Sequence, residues 1–191
     1  TGEPEGVWDY SVVAVDRAGN QTSPSPDLTV EIDRTAPITP APPDLQAGSD
    51  SGIENDDNIT NATDLAFNVS AAGSYFRFFR GGVQVSGDYE LGFTYTVSSQ
   101  SEGMWNYNVA AVDAAGNASA PSGSAEVTID TTAPVAPQAP DLQAASDTGV
   151  PDNNVTADKS PVFDVTTGSS GDYFRLYRDG QLVSQAPVVG D

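Results

Sequence analysis

The chain has 191 residues, with 27 Asp plus Glu against 7 Lys plus Arg, a net charge of −20, and neither Cys nor His. That balance excludes nucleic acid and anionic membrane surfaces as partners, since both need basic patches, and it favours cations. Disulfides and zinc sites of the Cys/His type are excluded as well, and no apolar run approaches the ~18 residues of a membrane-inserted segment.

In chain order, the first strong signal is Gly6-Val-Trp8-Asp-Tyr10, an alternating apolar run that ends in Asp16-Arg-Ala-Gly19-Asn20. It returns 97 residues later as Gly103-Met-Trp105-Asn-Tyr107, ending in Asp113-Ala-Ala-Gly116-Asn117. Asp33-Arg-Thr-Ala-Pro37 returns at the same offset as Asp130-Thr-Thr-Ala-Pro134, and Pro43-Asp-Leu-Gln-Ala-Gly-Ser-Asp50 returns as Pro140-Asp-Leu-Gln-Ala-Ala-Ser-Asp147. A fixed period of this length marks a tandem array. Residues 1–37 then read as the tail of one repeat, 38–134 as a complete repeat and 135–191 as the head of another. This register implies a longer parent chain, or head and tail segments of neighbouring chains that complete one domain by strand complementation.

Within the complete repeat, alternation and turn residues predict strands over 43–47, 64–70, 75–80, 83–86, 93–98, 104–112 and 124–130. Gly81-Gly82 is a two-residue hairpin signal. Leu65, Phe67 and Val69 share one face, as do Trp105, Tyr107, Val109 and Ala111. Trp105 and Tyr107, with Trp8 and Tyr10 in the earlier copy, are expected in the core rather than on a sugar-stacking surface, and Arg77 and Arg80 on the solvent face beside surface acids. No stretch has competing helical periodicity. The expected fold is all-β, with tandem seven-stranded immunoglobulin-like β-sandwiches joined by short proline-rich linkers. Pro37, Pro40 and Pro43 lie three apart, as do Pro134, Pro137 and Pro140. That is the polyproline II period, which makes a stiff extended linker with its prolines along one side.

Each junction gathers oxygen-bearing side chains. The loop after residue 47 carries Asp50, Asp56 and Asp57, and its copy carries Asp147 and Asp152. Asp33 and Asp130 end the last strands of their repeats, and the hairpin turn before that strand carries Asp113 with Asn117. Sandwich topology predicts Asp50, Asp56 and Asp57 close to Asp130, and Asp33 facing Asp113 and Asn117. Converging carboxylates without Lys or Arg repel unless neutralised. Calcium suits such a set, because it takes 6–8 oxygens in tolerant geometry. The EF-hand spacing is absent, however, and Asp-x-x-Gly-Asn is also good turn chemistry in its own right.

The succession Trp-x-Tyr-x-Val-x-Ala-Val-Asp-x-Ala-Gly-Asn, Ile-Asp-x-Thr-Ala-Pro and Pro-Asp-Leu-x-Ala-x-Ser-Asp resembles the bacterial Ig-like repeats of giant secreted and surface adhesins. The resemblance implies an extender that holds an adhesive tip away from the cell, extracellular or at the bacterial surface. It also implies calcium at some domain junctions, which carries over to Asp33, Asp50, Asp113, Asp130 and Asp147. The implied partners are neighbouring repeats of the same chain and other copies in a filament. The alternative is a module that binds glycans or proteins directly, which predicts an aromatic-rich loop peculiar to one copy. An enzyme is not expected: the carboxylates recur at junctions, whereas an active site is normally unique, and the single Lys, Lys159, has no basic counterpart in the other copy.

Overall fold

The computed structural model describes residues 2–70, 73, 75–166, 173–184 and 188–189, and every element among them is a strand. The chain divides into two compact units, Thr1–Thr131 and Thr132–Asp191.

The first unit opens with a hairpin of β1 (Gly6–Tyr10) and β2 (Leu28–Ile32), which pairs Trp8 with Val30. A two-sheet sandwich follows. One sheet contains β3 (Asp44–Leu45), β5 (Leu65–Asn68) and β8 (Thr94–Val97), in the order β3-β5-β8. The other contains β4 (Ile59–Thr60), β6 (Tyr75–Arg80), β7 (Val83–Gln84), β9 (Gly103–Val112) and β10 (Ala125–Ile129), in the order β4-β10-β9-β6-β7. Pairs are antiparallel except β4 with β10, which run parallel.

The predicted strands all form, most of them a residue or two shorter at their ends. β4 is the exception, an eighth strand inside the segment expected to be loop. Two residues are too few to show alternation, and their pairing partner lies far along the chain, so no local pattern announces them.

The core sits between the sheets. Leu45, Leu65, Phe67, Val69 and Val97 face Phe76, Phe78, Tyr107, Val109, Val127 and Ile129, all buried. Phe67 packs on Phe78 and Tyr107 with ring centroids 5.2 and 4.7 Å apart. The faces expected for Leu65, Phe67 and Val69 and for Tyr107, Val109 and Ala111 are the buried ones. Trp105 is half-buried at the rim of the core, whereas Trp8 and Tyr10, expected in a core, are exposed on a two-stranded hairpin that has no facing sheet among the described residues.

Arg77 is on the outer face and pairs with Asp88 at 3.5 Å. Arg80 is not where it was expected. It follows Phe76 and Phe78 at period two and stands opposite Tyr107 in the ladder, so parity turns it inward. Its guanidinium lies 4.7 Å from the Trp105 ring centre and donates to Gln100 Oε1 at 2.7 Å. Tyr107 donates to the same oxygen at 3.1 Å. Burial pushes the Tyr107 hydroxyl up to about 12, against a smaller downward pull from Arg80.

Along the first linker Pro40 and Pro43 are buried and Pro37 half-buried, while Ile38, Thr39, Ala41 and Pro42 are exposed. One side of this segment therefore lies against protein, as the proline period predicts.

The second unit repeats the beginning of the sandwich. β11 (Asp141–Leu142) pairs with β12 (Phe163–Asp164) as β3 pairs with β5. β13 (Tyr173–Phe174) pairs with β16 (Val188–Val189). β14 (Tyr177–Arg178) and β15 (Gln181–Leu182) rebuild the β6–β7 hairpin. Gly81-Gly82 and Asp179-Gly180 both have positive φ at the two turn positions, as a type I′ turn requires.

Candidate cation-binding loops and the repeat junction

Two kinds of acidic feature emerge, and they differ in how well their carboxylates are satisfied. The first is the hairpin turn after β9. Asp113 Oδ1 accepts the main-chain N–H groups of Ala115 and Asn117 at 2.9 and 2.8 Å, and Oδ2 accepts Asn117 Nδ2 at 2.9 Å. Gly116 takes φ 92°, a left-handed conformation that a larger residue would resist. The turn after β1 is built alike: Asp16 accepts Ala18 N, Asn20 N and Asn20 Nδ2, each at 2.8 Å.

Electrostatics follow from these bonds. At Asp113 desolvation pushes the carboxyl up, but the bonds from Asn117, Ala115 and Gly116 outweigh it and hold the group below the usual aspartate range. Asp16 is held low chiefly by the Asn20 side chain and main chain. These turns are self-sufficient, as turn chemistry alone would have them.

Asn117 does one thing more. Its Nδ2 also donates to the main-chain carbonyl of Asp33 at 3.1 Å. The end of β2, from one repeat, is thereby fastened to the hairpin turn of the next. The expected approach of Asp33 to Asn117 is present, made through the Asp33 backbone, while the Asp33 carboxylate accepts Thr35 N at 2.9 Å.

The second feature is the loop between β3 and β4. Asp50 is only 2% exposed. Its Oδ2 accepts Asn58 N at 3.0 Å, but its buried Oδ1 has no hydrogen-bond partner. Asp57 Oδ1 accepts Ile59 N at 2.9 Å, and Thr60 donates through Oγ1 to Ser49 O at 2.7 Å. Asp56 and Asp57 are exposed.

The copy in the second unit is wired similarly, but the amide that meets its aspartate belongs to Asn153, the counterpart of Asp57 rather than of Asn58. Asp147 Oδ2 accepts Asn153 N at 3.2 Å, and its Oδ1 is again buried and unpartnered. Asn153 Oδ1 accepts Val155 N at 2.9 Å, and Thr156 donates to Ser146 O. Asp152 is exposed and takes φ 59°.

The expected gathering of Asp50, Asp56 and Asp57 around Asp130 does not form. Among the described residues no three acidic side chains come together. The reason is β4. It runs beside β10 and brings Thr60 O, rather than a carboxylate, onto Asp130 N at 2.9 Å. The acids lie upstream in the loop that precedes β4.

An exposed apolar group was also missed in the sequence. Tyr89, Leu91 and Phe93, between β7 and β8, are 53, 71 and 77% exposed. Their spacing at period two looks like the start of the following strand, and only the strand's actual beginning at Thr94 leaves them outside it.

Two facing sheets, with the first strand's continuation crossing over to pair in parallel with the last, define an immunoglobulin-like β-sandwich. Residues 36–131 match the profile of the bacterial Ig-like domain family, and the chain belongs to that family. It is 36% identical over 152 residues to exoglucanase B of Cellulomonas fimi, an alignment covering 75% of this chain. The match takes in 14% of the exoglucanase, so the chain corresponds to a small part of that protein. Among solved structures it is similar to fibronectin(III)-like modules of Clostridium thermocellum CbhA, with 22% identity, a TM-score of 0.43 and coverage of 68% of this chain and 65% of that one.

Proposed function

We propose that this chain is an extender segment of a long extracellular bacterial protein, a row of non-catalytic sandwiches whose task is to set distance and direction. The observation that carries this reading is the bond from Asn117 to the Asp33 carbonyl, which fastens one repeat to the next. A second support is the first linker, whose Pro40 and Pro43 are buried rather than free. A flexible tether would need neither. Among the described residues no helix is long and apolar enough to cross a membrane, and membership of the bacterial Ig-like domain family, with a relative that is an exoglucanase, supports an extracellular place.

Calcium belongs to the same proposal. Asp33, Asp113 and Asn117 at the upstream junction, and Asp130 at the end of the complete repeat, are the residues put forward as junction ligands. The ion would supply neutralisation and restrict the angle between repeats. In a surface adhesin or filament this stiffening keeps the tip extended.

The test is dimensional. Proteins with one, two and three tandem copies of residues 38–134 are compared by small-angle scattering. An extender gives a maximum dimension that grows linearly with copy number, and a flexible string gives growth close to the square root.

A second reading has one observation in its favour. Tyr89 and Phe93 are exposed aromatics in a family member related to part of an exoglucanase. Direct polysaccharide binding predicts retention on insoluble cellulose that Phe93→Ala abolishes. Equal elution of both proteins in the void excludes it.

A further inference from the structure

Apart from Ile38 in the linker and Val83 and Val85 along the β7 edge, the large apolar side chains that the complete repeat leaves exposed lie towards its two ends. Tyr89, Leu91 and Phe93 are at the leading end, which follows the linker. Glu90 exchanges main-chain bonds with Phe76 near the start of β6, and Phe93 O accepts Val69 N just past the end of β5. Tyr75, which heads β6 opposite Val112, meets the Tyr89 ring edge-on with centroids 5.4 Å apart. Ile53, Ile59 and Met104 are towards the trailing end. Ile59 opens β4 and Met104 lies near the start of β9, and the two flank Thr128 across the sheet.

The first unit contains one meeting of a trailing end with a leading end. The Asp33 carbonyl, just after β2, lies 3.1 Å from Asn117 Nδ2. Asn117 follows Gly116, where an added Cβ would stand 3.0 Å from the Tyr89 hydroxyl. Asp33 corresponds to Asp130, 97 residues on. Asp130 N donates to the carbonyl of Thr60, the residue after Ile59. A full repeat in the place of the β1–β2 hairpin therefore carries its own β4 beside the bonded aspartate, at the edge of the aromatic end.

The residue types recur in the other copies. Val150, Val155 and Val7 hold the positions of Ile53, Ile59 and Met104, again aliphatic and exposed. Phe174 pairs with Val188 as Phe76 bridges to Glu90, so Tyr173, Pro187 and Val189 take the places of Tyr75, Tyr89 and Leu91. Apolar groups gathered at both ends of a repeat, and kept there from copy to copy, mark surfaces that meet something.

We propose that successive repeats are joined by an apolar contact, in which Ile53, Ile59 and Met104 at the trailing end of one repeat pack on Tyr89, Leu91 and Phe93 at the leading end of the next. The occupant of the aromatic end is another repeat of the same kind, because that surface is continuous with the Asn117–Asp33 contact. The contact rests on the reading of the chain as a row of repeats. It adds a fastening made by burial of apolar area, which needs no ion.

The test uses two copies of residues 38–134 in tandem, since that segment contains the whole buried core cluster and so folds as a unit. All measurements are made in EDTA. The chain has no cysteine, so Ile53→Cys in the first copy and Leu91→Cys in the second form a unique pair. Its intramolecular disulfide is expected to form about tenfold or more faster than in a control with Leu91→Cys in both copies, which places the thiols a repeat apart. The urea midpoint of the tandem is expected to exceed that of the single repeat. Leu91→Ser with Phe93→Ser in the second copy removes the excess, while the same pair in the first copy, with no repeat before it, leaves it in place. Crosslinking no faster than the control, with equal midpoints for tandem and single repeat, overturns the contact. So does a Phe93→Ala tandem that loses retention on cellulose with no change in midpoint, which would give the aromatics to a polysaccharide. Scattering from one, two and three copies reports on the extender separately. Linear growth without the crosslink keeps the extender and refutes the contact, and a fast crosslink with square-root growth does the reverse.

Discussion

Replacing Asn117 with alanine removes two hydrogen bonds of different kinds from one side-chain nitrogen. One goes to the Asp113 carboxylate at 2.9 Å and the other to the Asp33 carbonyl at 3.1 Å. A bond to a charged group contributes about 1.5–3 kcal/mol, and a neutral one about 1 kcal/mol. Because the Asp113 carboxylate is open to solvent, the turn bond is weakened by screening, and it still makes up the larger part of the change. The smaller part is the one that matters for the junction, and a double-mutant cycle with Asp113→Ala isolates it. With Asp113 already gone, Asn117→Ala has no turn bond left to break and is still expected to cost about 1 kcal/mol. The two tryptophans supply the readout, since Trp8 lies in β1 and Trp105 in β9, in neighbouring repeats. Urea unfolding of Trp8→Phe and Trp105→Phe backgrounds follows each side separately, and the residual cost belongs in the Trp8 signal. If Asn117→Ala is silent once Asp113 is absent, Asn117 serves only its own turn and the fastening between repeats has no energetic weight.

Phe67→Ala, at a fully buried position between Phe78 and Tyr107, is expected to lower stability by about 3–5 kcal/mol. Phe93→Ala, at a site 77% exposed, should stay within about 0.5 kcal/mol by the same urea titration. Alkaline pH offers an independent check. The Tyr107 hydroxyl is raised by burial to about 12, so its contribution is complete below the ordinary tyrosine value near 10 and is lost as pH climbs from there to about 12. Tyr107→Phe should flatten the stability curve across that window, measured by urea midpoints at successive pH values. At the acid end, the low Asp113 carboxyl gives stability that is present above the unfolded aspartate value near 4 and disappears as pH falls below it. Asp113→Asn should remove that part of the acid dependence.

Much of the fold was legible because it rests on local pattern. Alternation in Leu65-Ala-Phe67-Asn-Val69 placed three residues on the buried face, and Gly81-Gly82 specified the hairpin that β6 and β7 form. Period two also contained the correct position of Arg80, in line with Phe76 and Phe78, but a guanidinium was assumed to seek water. Its stacking on Trp105 and its bond to Gln100 show how an inward Arg at a strand end can cap a core instead. The short parallel strand β4 was out of reach, because its only signal is a partner some seventy residues away. That omission carried over to the candidate site. With β4 treated as loop, Asp56 and Asp57 seemed free to approach Asp130, whereas the strand in fact interposes its own backbone. Asp113 and Asn117 were legible as a turn and as a junction together, and the structure contains both roles. The buried, half-satisfied state of Asp50 was invisible in the sequence, because burial of a loop carboxylate depends on how Ser49 and Thr60 draw the two ends of the loop together.

The decisive observation is the length of two tandem copies of residues 38–134 as calcium is added. Scattering profiles and melting temperatures are recorded through a titration up to millimolar calcium, with magnesium and EDTA as controls. A calcium-stiffened extender is predicted to reach a longer maximum dimension and a higher melting temperature with calcium, and to respond little to magnesium. If neither length nor melting temperature changes, the acidic residues serve only turns and solubility, and any rigidity in the row comes from its prolines and from Asn117.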